Sequence, residues 1–495
     1  MTLEYANTTG EPIIQPLTDK QLLAPQRAGY YETVWPSEHT DLWRSHAVSN
    51  VGLPADFNPA KLAVTTANLN LPVWGYTRAK DEVFVIGGSP FMLNIFTQTI
   101  KNGGTEDTAD TTTAALSEAN LSAAAEESLS SVPYVAKVNP LTMQVTQLDL
   151  TEGKTINYTG GLLMHESGFV YAVSRSVLYK VDPENMQIVA SAPLPLVGDS
   201  KEQNFWTTYN GLQVIASGEL VIKGFYFVDS VSVNGWLLLV DPNTLQIDVQ
   251  QSEALSSARL TIQQAPDGSA TLYQVNATQS LRFKITDEGF LLDQEWTRDY
   301  RTEDDGTTQA SSPLLFGEIG QVVFADNTAP GATTPINLYD QPVNVADLPA
   351  QLEGVNAFDS DLPGFNFFMV AGDPFETQTL VYYDPINNFL GAHTVLPDGT
   401  LQGLWERNGV YKVSASPAIV PDRDLLYIDN YQNGTDSFVV LRLSTGEELA
   451  TVPLAANLPT IGTIFLGMNE DVYILSSEAG SDNGLISRIF VQGQT

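Results

Sequence analysis

Apolar residues in this chain fall in short runs bounded by Gly, Pro, Asp and Asn, the pattern of strands joined by turns. One unit recurs. The motif V-[DN]-P-x-[TN]-[ML]-Q-[IV] stands at 138–145 (VNPLTMQV), 181–188 (VDPENMQI) and 240–247 (VDPNTLQI). Each copy is an apolar run, an Asp/Asn-Pro turn and a second apolar run. That is a hairpin, because Pro presets φ at a turn and is excluded from a central strand. Looser copies follow at 283–292 (FKITDEGFLL), 382–391 (YYDPINNFLG) and 441–450 (LRLSTGEELA).

The spacing predicts four antiparallel strands per repeat, A to D, with the proline turn joining C to D. The second repeat reads as strands at 160–165, 169–173, 177–181 and 186–191. The third reads as 212–216, 220–228, 236–240 and 245–249. Sheets of this size that wheel around an axis form a β-propeller, all-β and a single domain. Eight blades are expected, near 68–150, 155–198, 203–252, 257–300, 308–353, 354–408, 410–454 and 457–495, with the sixth least regular and a seven-bladed ring as the alternative. The eighth stops after strand C, and 61–67 (KLAVTTA) is the segment expected to pair there and close the ring.

A second signature pairs Ser312-Pro313 with Ser416-Pro417 at the opening of strand A, and Asp326-Asn327 with Asp429-Asn430 at the end of strand B. In this geometry B–C and D–A loops share one face, which places Asp326, Asn327, Asp429 and Asn430 there. Turn chemistry alone also explains Asp-Asn pairs.

With 495 residues, 43% of them apolar, 37 Gly, 28 Pro and 9% aromatics, the chain has material for a large core, and disorder as its general state is excluded. The formal charge of −35, from 23 Lys+Arg against 58 Asp+Glu, disfavours nucleic acid and anionic membrane surfaces and suits a neutral or cationic small ligand. It also fits a saline setting. No cysteine is present, so disulfides and thiolate sites are excluded. No apolar run is long enough to span a membrane, and the N-terminal sequence lacks signal-peptide character. A secreted or periplasmic location with the leader removed is nevertheless the expectation. Five Asn-x-Ser/Thr sequons, at Asn7, Asn120, Asn157, Asn276 and Asn433, matter only in a glycosylating compartment.

LYKVDPENMQIV, LLLVDPNTLQIDV and VVLRLSTGEELATV resemble the L-Y-x-[LV]-D-x-x-T-G unit of PQQ-like, quinoprotein-type β-propeller repeat proteins. The resemblance covers most of 60–495 and implies a propeller. Quinone-binding members also carry a tryptophan-docking spacing and a vicinal cysteine pair. This chain has neither, so PQQ is not expected. Calcium is the metal its acidic loops at 429–436 and 477–484 suit, without an EF-hand spacing.

Two segments break the repeat. Residues 90–131, between strands B and C of the first blade, run from an apolar stretch that includes Phe91 through an acidic one to a short Ala-rich helix. They read as a lid over the axis or as decoration. Residues 1–60 form an arm belonging to no blade, and its stretch TVWPSEHTDLWRSHAV gathers Trp35, Glu38, His39, Asp41, Trp43, Arg44 and His46. It resembles a W-P-x-x-H-x-D segment of related propellers that crosses the disc before the first blade. Such residues bind a polar ligand and move protons, or plug the axis.

The expected site therefore has His39, His46, Arg44, Asp326 and Asp429 as acid, base or electrostatic anchor. Trp35, Trp43, Asn327, Asn430, Arg175 and Phe91 are the expected ligand contacts. Trp405, Glu406 and Arg407 are further charged or aromatic candidates near the axis. His165 and His393 fall away from the other histidines, which excludes a four-histidine iron centre. No nucleophile elbow, P-loop or His-Glu-x-x-His motif occurs. Three functions stay open: a propeller that binds a small molecule over the axis with acid–base chemistry there, a quinoprotein-type oxidoreductase, and a non-catalytic scaffold.

Overall fold

The computed structural model describes residues 5–6, 12–13, 27–89 and 131–493, apart from 159, 198–199, 229–230, 302–307, 329–336, 358–365, 367, 461 and 479–482. The insertion at 90–130, with Phe91, lies outside the described residues. Eight antiparallel sheets form a ring around a common axis. Blade one is Pro72–Ala79, Glu82–Gly87, Tyr134–Asn139 and Gln144–Asp149. Blade two is Gly161–Met164, Val170–Ser174, Val177–Asp182 and Gln187–Pro193. Blades three to seven begin with inner strands at Thr207–Val214, Thr261–Gln264, Leu314–Phe316, Met369–Asp373 and Ala418–Val420.

The repeat motif has a conformational cause. In its three clear copies the Asn or Asp side chain accepts backbone N–H groups just downstream: Asn139 from Leu141 and Thr142, Asp182 from Glu184, Asp241 from Asn243 and Thr244. The fifth residue of each motif, counted from the Val before that turn residue as zero, is then left-handed, at Met143, Met186 and Leu245. Asn388 takes the same conformation after Asp384-Pro385, but there, contrary to expectation, the turn joins strands B and C of blade six, Thr379–Asp384 and Phe389–Val395; in the last looser copy Gly446 takes it between strands C and D. An Asx turn plus one αL residue reverses the chain from strand C to strand D.

Differences from the expected boundaries have local reasons. Strand D of blade five is only Val355–Asn356, so 354–357 belongs to that blade and the sixth, Met369 to Glu406, is a regular four-stranded sheet. Strand C of blade four pairs with two pieces, Gly289–Leu292 and Arg298–Asp299, on either side of the fully buried Trp296. Blade eight consists of Phe465–Leu466, Asp471–Ser477, Asn483–Val491 and, as its outer strand, Leu62–Asn70. That last pairing runs from Leu62 opposite Val491 to Asn70 opposite Asn483. Outer strands elsewhere are largely exposed and polar, as in Gln144–Asp149, whereas inner and middle strands are buried on both faces.

Inner strands around an axis present unpaired backbone groups to the hub, and the arm pairs with those of six blades. Thr77 N–H donates to the Trp35 carbonyl, Met164 to Pro36, Ile262 to Leu42, Leu315 to Trp43, Gly372 to Ser45 and Ile419 to His46. The arm thus visits six blades with its backbone. To turn so tightly it places Thr40, Arg44 and His46 in the left-handed region, at φ of 66°, 64° and 59°. Such strain in non-Gly residues persists only where surroundings enforce it. Buried Asp41 does so, accepting Trp43 N–H, Ser45 N–H and the Ser45 hydroxyl.

Candidate functional site

The arm floors the hub, and above it lies a cavity of about 140 Å³ open toward the face of the B–C and D–A loops. Each blade contributes its inner strand or the segment leading into it: Trp74, Tyr158, Asn210, Arg259, Ser312, Met369, Ser416 and Gly462. The arm contributes Glu38, His39, Arg44 and His46.

Glu38 ties these groups together. One carboxylate oxygen accepts from His39 Nε2 at 2.7 Å and the other from Arg259 at 2.7 Å. Arg259 also donates to the Asn210 carbonyl and lies over Trp74, its guanidinium carbon 4.8 Å from the ring centre. Behind it, the fully buried Lys223 donates to the Ser256 and Ala258 carbonyls and so fixes the loop that carries Arg259. Burial, reinforced by Arg259 and Arg44, holds the Lys223 ammonium well below the ordinary lysine value.

The two imidazoles lie against each other, ring centres 4.0 Å apart and planes tilted by 39°. At that separation their 3.4 Å Nδ1–Nδ1 approach is a side-by-side contact rather than a linear hydrogen bond. His46 Nδ1 stands 3.0 Å from the Pro417 carbonyl, which can only accept, so this nitrogen carries the proton. His46 Nε2 is then the lone-pair nitrogen, without a hydrogen-bond partner among the described residues. By the same logic His39 donates through Nε2 to Glu38 and keeps its lone pair on Nδ1. Burial depresses both histidines well below the ordinary value, with Arg44 and Arg259 adding at His39, and His39 and Arg44 adding at His46. Both are neutral at physiological pH. The arrangement supplies an oriented imidazole base beside two guanidiniums in a site largely shielded from bulk water.

Of the residues nominated from sequence, His39, Arg44, His46 and Asn327 line this cavity. Others do not. Asp326 is fully buried in an ion pair with Arg301 at 2.7 Å and accepts Asn337 N–H. Asp429 braces the loop before blade seven, taking Ser414 and Ala415 N–H groups and the Ser414 hydroxyl, while Asn430 accepts Lys412 N–H. Trp35 packs in the apolar cluster between blades one, seven and eight, and Trp43 stacks on Phe375. Arg175 anchors loops by donating to the Gly153 and Ser131 carbonyls. Trp405 and Glu406 sit on the outer strand of blade six, far from the hub, and Arg407 follows them. Glu38 was visible in the arm but not nominated, and Arg259 was missed. Its one signal is an arginine immediately before an inner strand in a chain with few basic residues; Lys223 amid the apolar LVIKGFYFV is a comparable signal. Among the described residues no three His, Asp or Glu converge as a metal site would need.

The acidic loop at 429–436 holds a different device. Asp436 is fully buried and accepts Ser437 N–H, Thr460 N–H and the Thr460 hydroxyl. Burial pushes its carboxyl up to about 6, and burial together with Asp436 pushes the Asp429 carboxyl well above its ordinary value. An unfolded aspartate titrates near 3.9, so between about 3.9 and 6 the native state binds protons that the unfolded state has released. Stability from this pair is therefore greatest in acid and declines as pH rises through that window. Thermal melting followed from pH 4 to pH 7 should fall less steeply in Asp436→Asn than in the wild type. Parallel curves would remove the pair from the pH response.

No family model matches the chain, and no curated protein matches it in sequence. Solved structures similar to it include the WD40 domain of SCAP from fission yeast, 8% identical, covering 88% of this chain and 99% of that one at a TM-score of 0.47. The periplasmic gluconolactonase of Pseudomonas aeruginosa is 11% identical, covering 66% of this chain and 93% of that one at 0.39. Puromycin hydrolase is 12% identical, covering 81% of this chain and 56% of that one at 0.42. The chain is an eight-bladed β-propeller whose hub is floored by its own N-terminal arm. No helix among the described residues is long and apolar enough to cross a membrane.

Proposed function

We propose that this propeller binds a small polar molecule in the axial cavity and acts on it by acid–base chemistry, with His46 as proton acceptor and Arg259 and Arg44 as electrostatic anchors. The observation that carries this reading is the His46 imidazole, whose Nδ1 proton is committed to the Pro417 carbonyl while Nε2 has no partner among the described residues in a ring-lined cavity. Neutral at physiological pH, it is ready to accept a proton from a bound water or from a carbon next to a carbonyl. A purely structural arm has some support, since its backbone bonds alone close the hub. It does not account for a guanidinium, an imidazole lone pair and several hydroxyls turned to one cavity.

A quinoprotein role does not fit these residues. The cavity is well below the roughly 300 Å³ at which pockets begin to take larger ligands. Its single carboxylate, Glu38, is already committed to Arg259 and His39, leaving no oxygen set for a calcium ion beside a quinone.

The test is a turnover screen by NMR over small esters, lactones, and hydroxy and keto acids, followed by His46→Gln on any compound consumed. The expected result is a fall in kcat of about 100-fold or more with Kd within about threefold of wild type. Unchanged turnover, or loss of binding in place of turnover, would remove His46 as the base.

A further inference from the structure

Arg44 is a wall residue whose bonding is incomplete. Its side chain is 93% withdrawn from solvent, at 7% exposure, yet no described residue accepts a hydrogen bond from its guanidinium. Glu38 is near enough to act on it electrostatically, but both Glu38 oxygens are held by His39 and Arg259. The guanidinium is aimed by the backbone, through the left-handed Arg44 and the Asp41 turn beneath it, rather than by a partner. Burying a cation this way is costly unless something completes it, and left-handed strain of this kind is characteristic of ligand clamps.

The charge count of the wall defines the missing partner. Two guanidiniums face one carboxylate, and the two imidazoles are neutral, leaving one unmatched positive charge although the whole chain carries −35. The net charge of the molecule pointed to a neutral or cationic ligand; the cavity has the opposite local sign. A planar guanidinium matches a carboxylate through two parallel N–H···O bonds. Ser312, Ser416 and Asn327 offer hydroxyl and amide groups around it, against the apolar Met369 and Trp74. The cavity, about 140 Å³, lies below the range of pockets for larger ligands, so its occupant is a small molecule.

We propose that the axial cavity takes a small monocarboxylic acid bearing hydroxyl or keto oxygens, with its carboxylate held on Arg44. This rests on the axial-ligand reading above and narrows it to one class of compound. A dianionic phosphate would exceed the single unmatched charge.

Calorimetry on the full chain with glycolate, lactate and pyruvate, with the matching neutral amides, and with inorganic phosphate tests it. At least one acid should bind about tenfold or more tightly than its amide, as a charge-assisted bidentate contact requires. Arg44→Gln should abolish that preference while amide binding persists, and Arg44→Lys should retain part of it. Equal binding of acid and amide to the wild type would overturn the carboxylate assignment and leave the axial site standing. Phosphate binding more tightly than every acid, or no acid binding at all, would also overturn the assignment. Met369→Trp, which fills the cavity, should block acids and amides alike; binding that survives it would overturn the axial reading itself. The wild-type comparison of acid with amide decides the matter even where Arg44→Gln does not fold.

Discussion

Glu38→Ala is expected to lose about 3–5 kcal/mol of stability, because removing one partner from a buried ionic network leaves the others uncompensated. The network here is unusually one-sided. Glu38 is the single carboxylate on a wall that also carries Arg44 and Arg259, with Lys223 behind it. Truncation leaves the Arg259 guanidinium without its ionic partner and the His39 Nε2 proton without an acceptor. Burial pushes the Glu38 carboxyl up while Arg259 and Arg44 pull it down, so the carboxylate and the two guanidiniums support one another. Two companions separate charge from packing. Glu38→Gln keeps the shape and a hydrogen-bond acceptor but not the charge, and should fall between wild type and Glu38→Ala. Adding Arg259→Met to Glu38→Ala should recover part of the loss, since the double variant no longer buries the unmatched Arg259; urea denaturation of the wild type, Glu38→Ala, Arg259→Met alone and the double variant gives the coupling energy directly. Losses that simply add would mean that Glu38 acts through packing and that the ion pair contributes little.

The repeat was legible in the sequence because its cause is local. An Asp or Asn that caps its own turn, a Pro and one left-handed residue lie within six positions at 139–143, 182–186 and 241–245, and that run needs no tertiary context. Blade boundaries failed where a strand shrinks to two residues, as at Val355–Asn356, since so short a segment has no periodicity. The site divides in the same way. His39, Arg44 and His46 lie together because one tightly coiled arm carries them, and their proximity in sequence becomes proximity in space. Arg259 and Tyr158 reach the cavity only through the ring, from segments separated from the arm by whole blades, so no local pattern marks them. The Asp-Asn pairs recur in sequence for a reason internal to the fold. Asp429 holds the segment entering its own blade's inner strand, and Asp326 a buried ion pair, so repetition there reflects architecture rather than chemistry.

Ring closure carries the largest expected effect on solubility. A chain lacking residues 1–71 retains every blade but leaves blade eight with three strands, its Asn483–Val491 strand forming the open edge. That strand differs from a natural outer strand. Its residues are nearly all buried, with Leu485, Ile486, Ile489 and Val491 among them, whereas an outer strand such as Gln144–Asp149 is mostly exposed and rich in polar side chains. An apolar open edge pairs with other chains, so the truncated protein should be recovered mainly as aggregate. The geometry also supplies the rescue. Leu62 lies opposite Val491, and Gln492 N–H donates to the Lys61 carbonyl, so residues 62–71 appended after the last strand through a short turn can fold back as an antiparallel hairpin. This permuted chain restores the closing strand without the arm. Size-exclusion chromatography should show it monodisperse, with a β-type circular dichroism spectrum and a lower melting temperature than the full chain, the difference measuring what the arm adds at the hub. Equal aggregation of the permuted and truncated chains would place the stabilising role in the arm and remove it from the sheet that joins Leu62–Asn70 to Asn483–Val491.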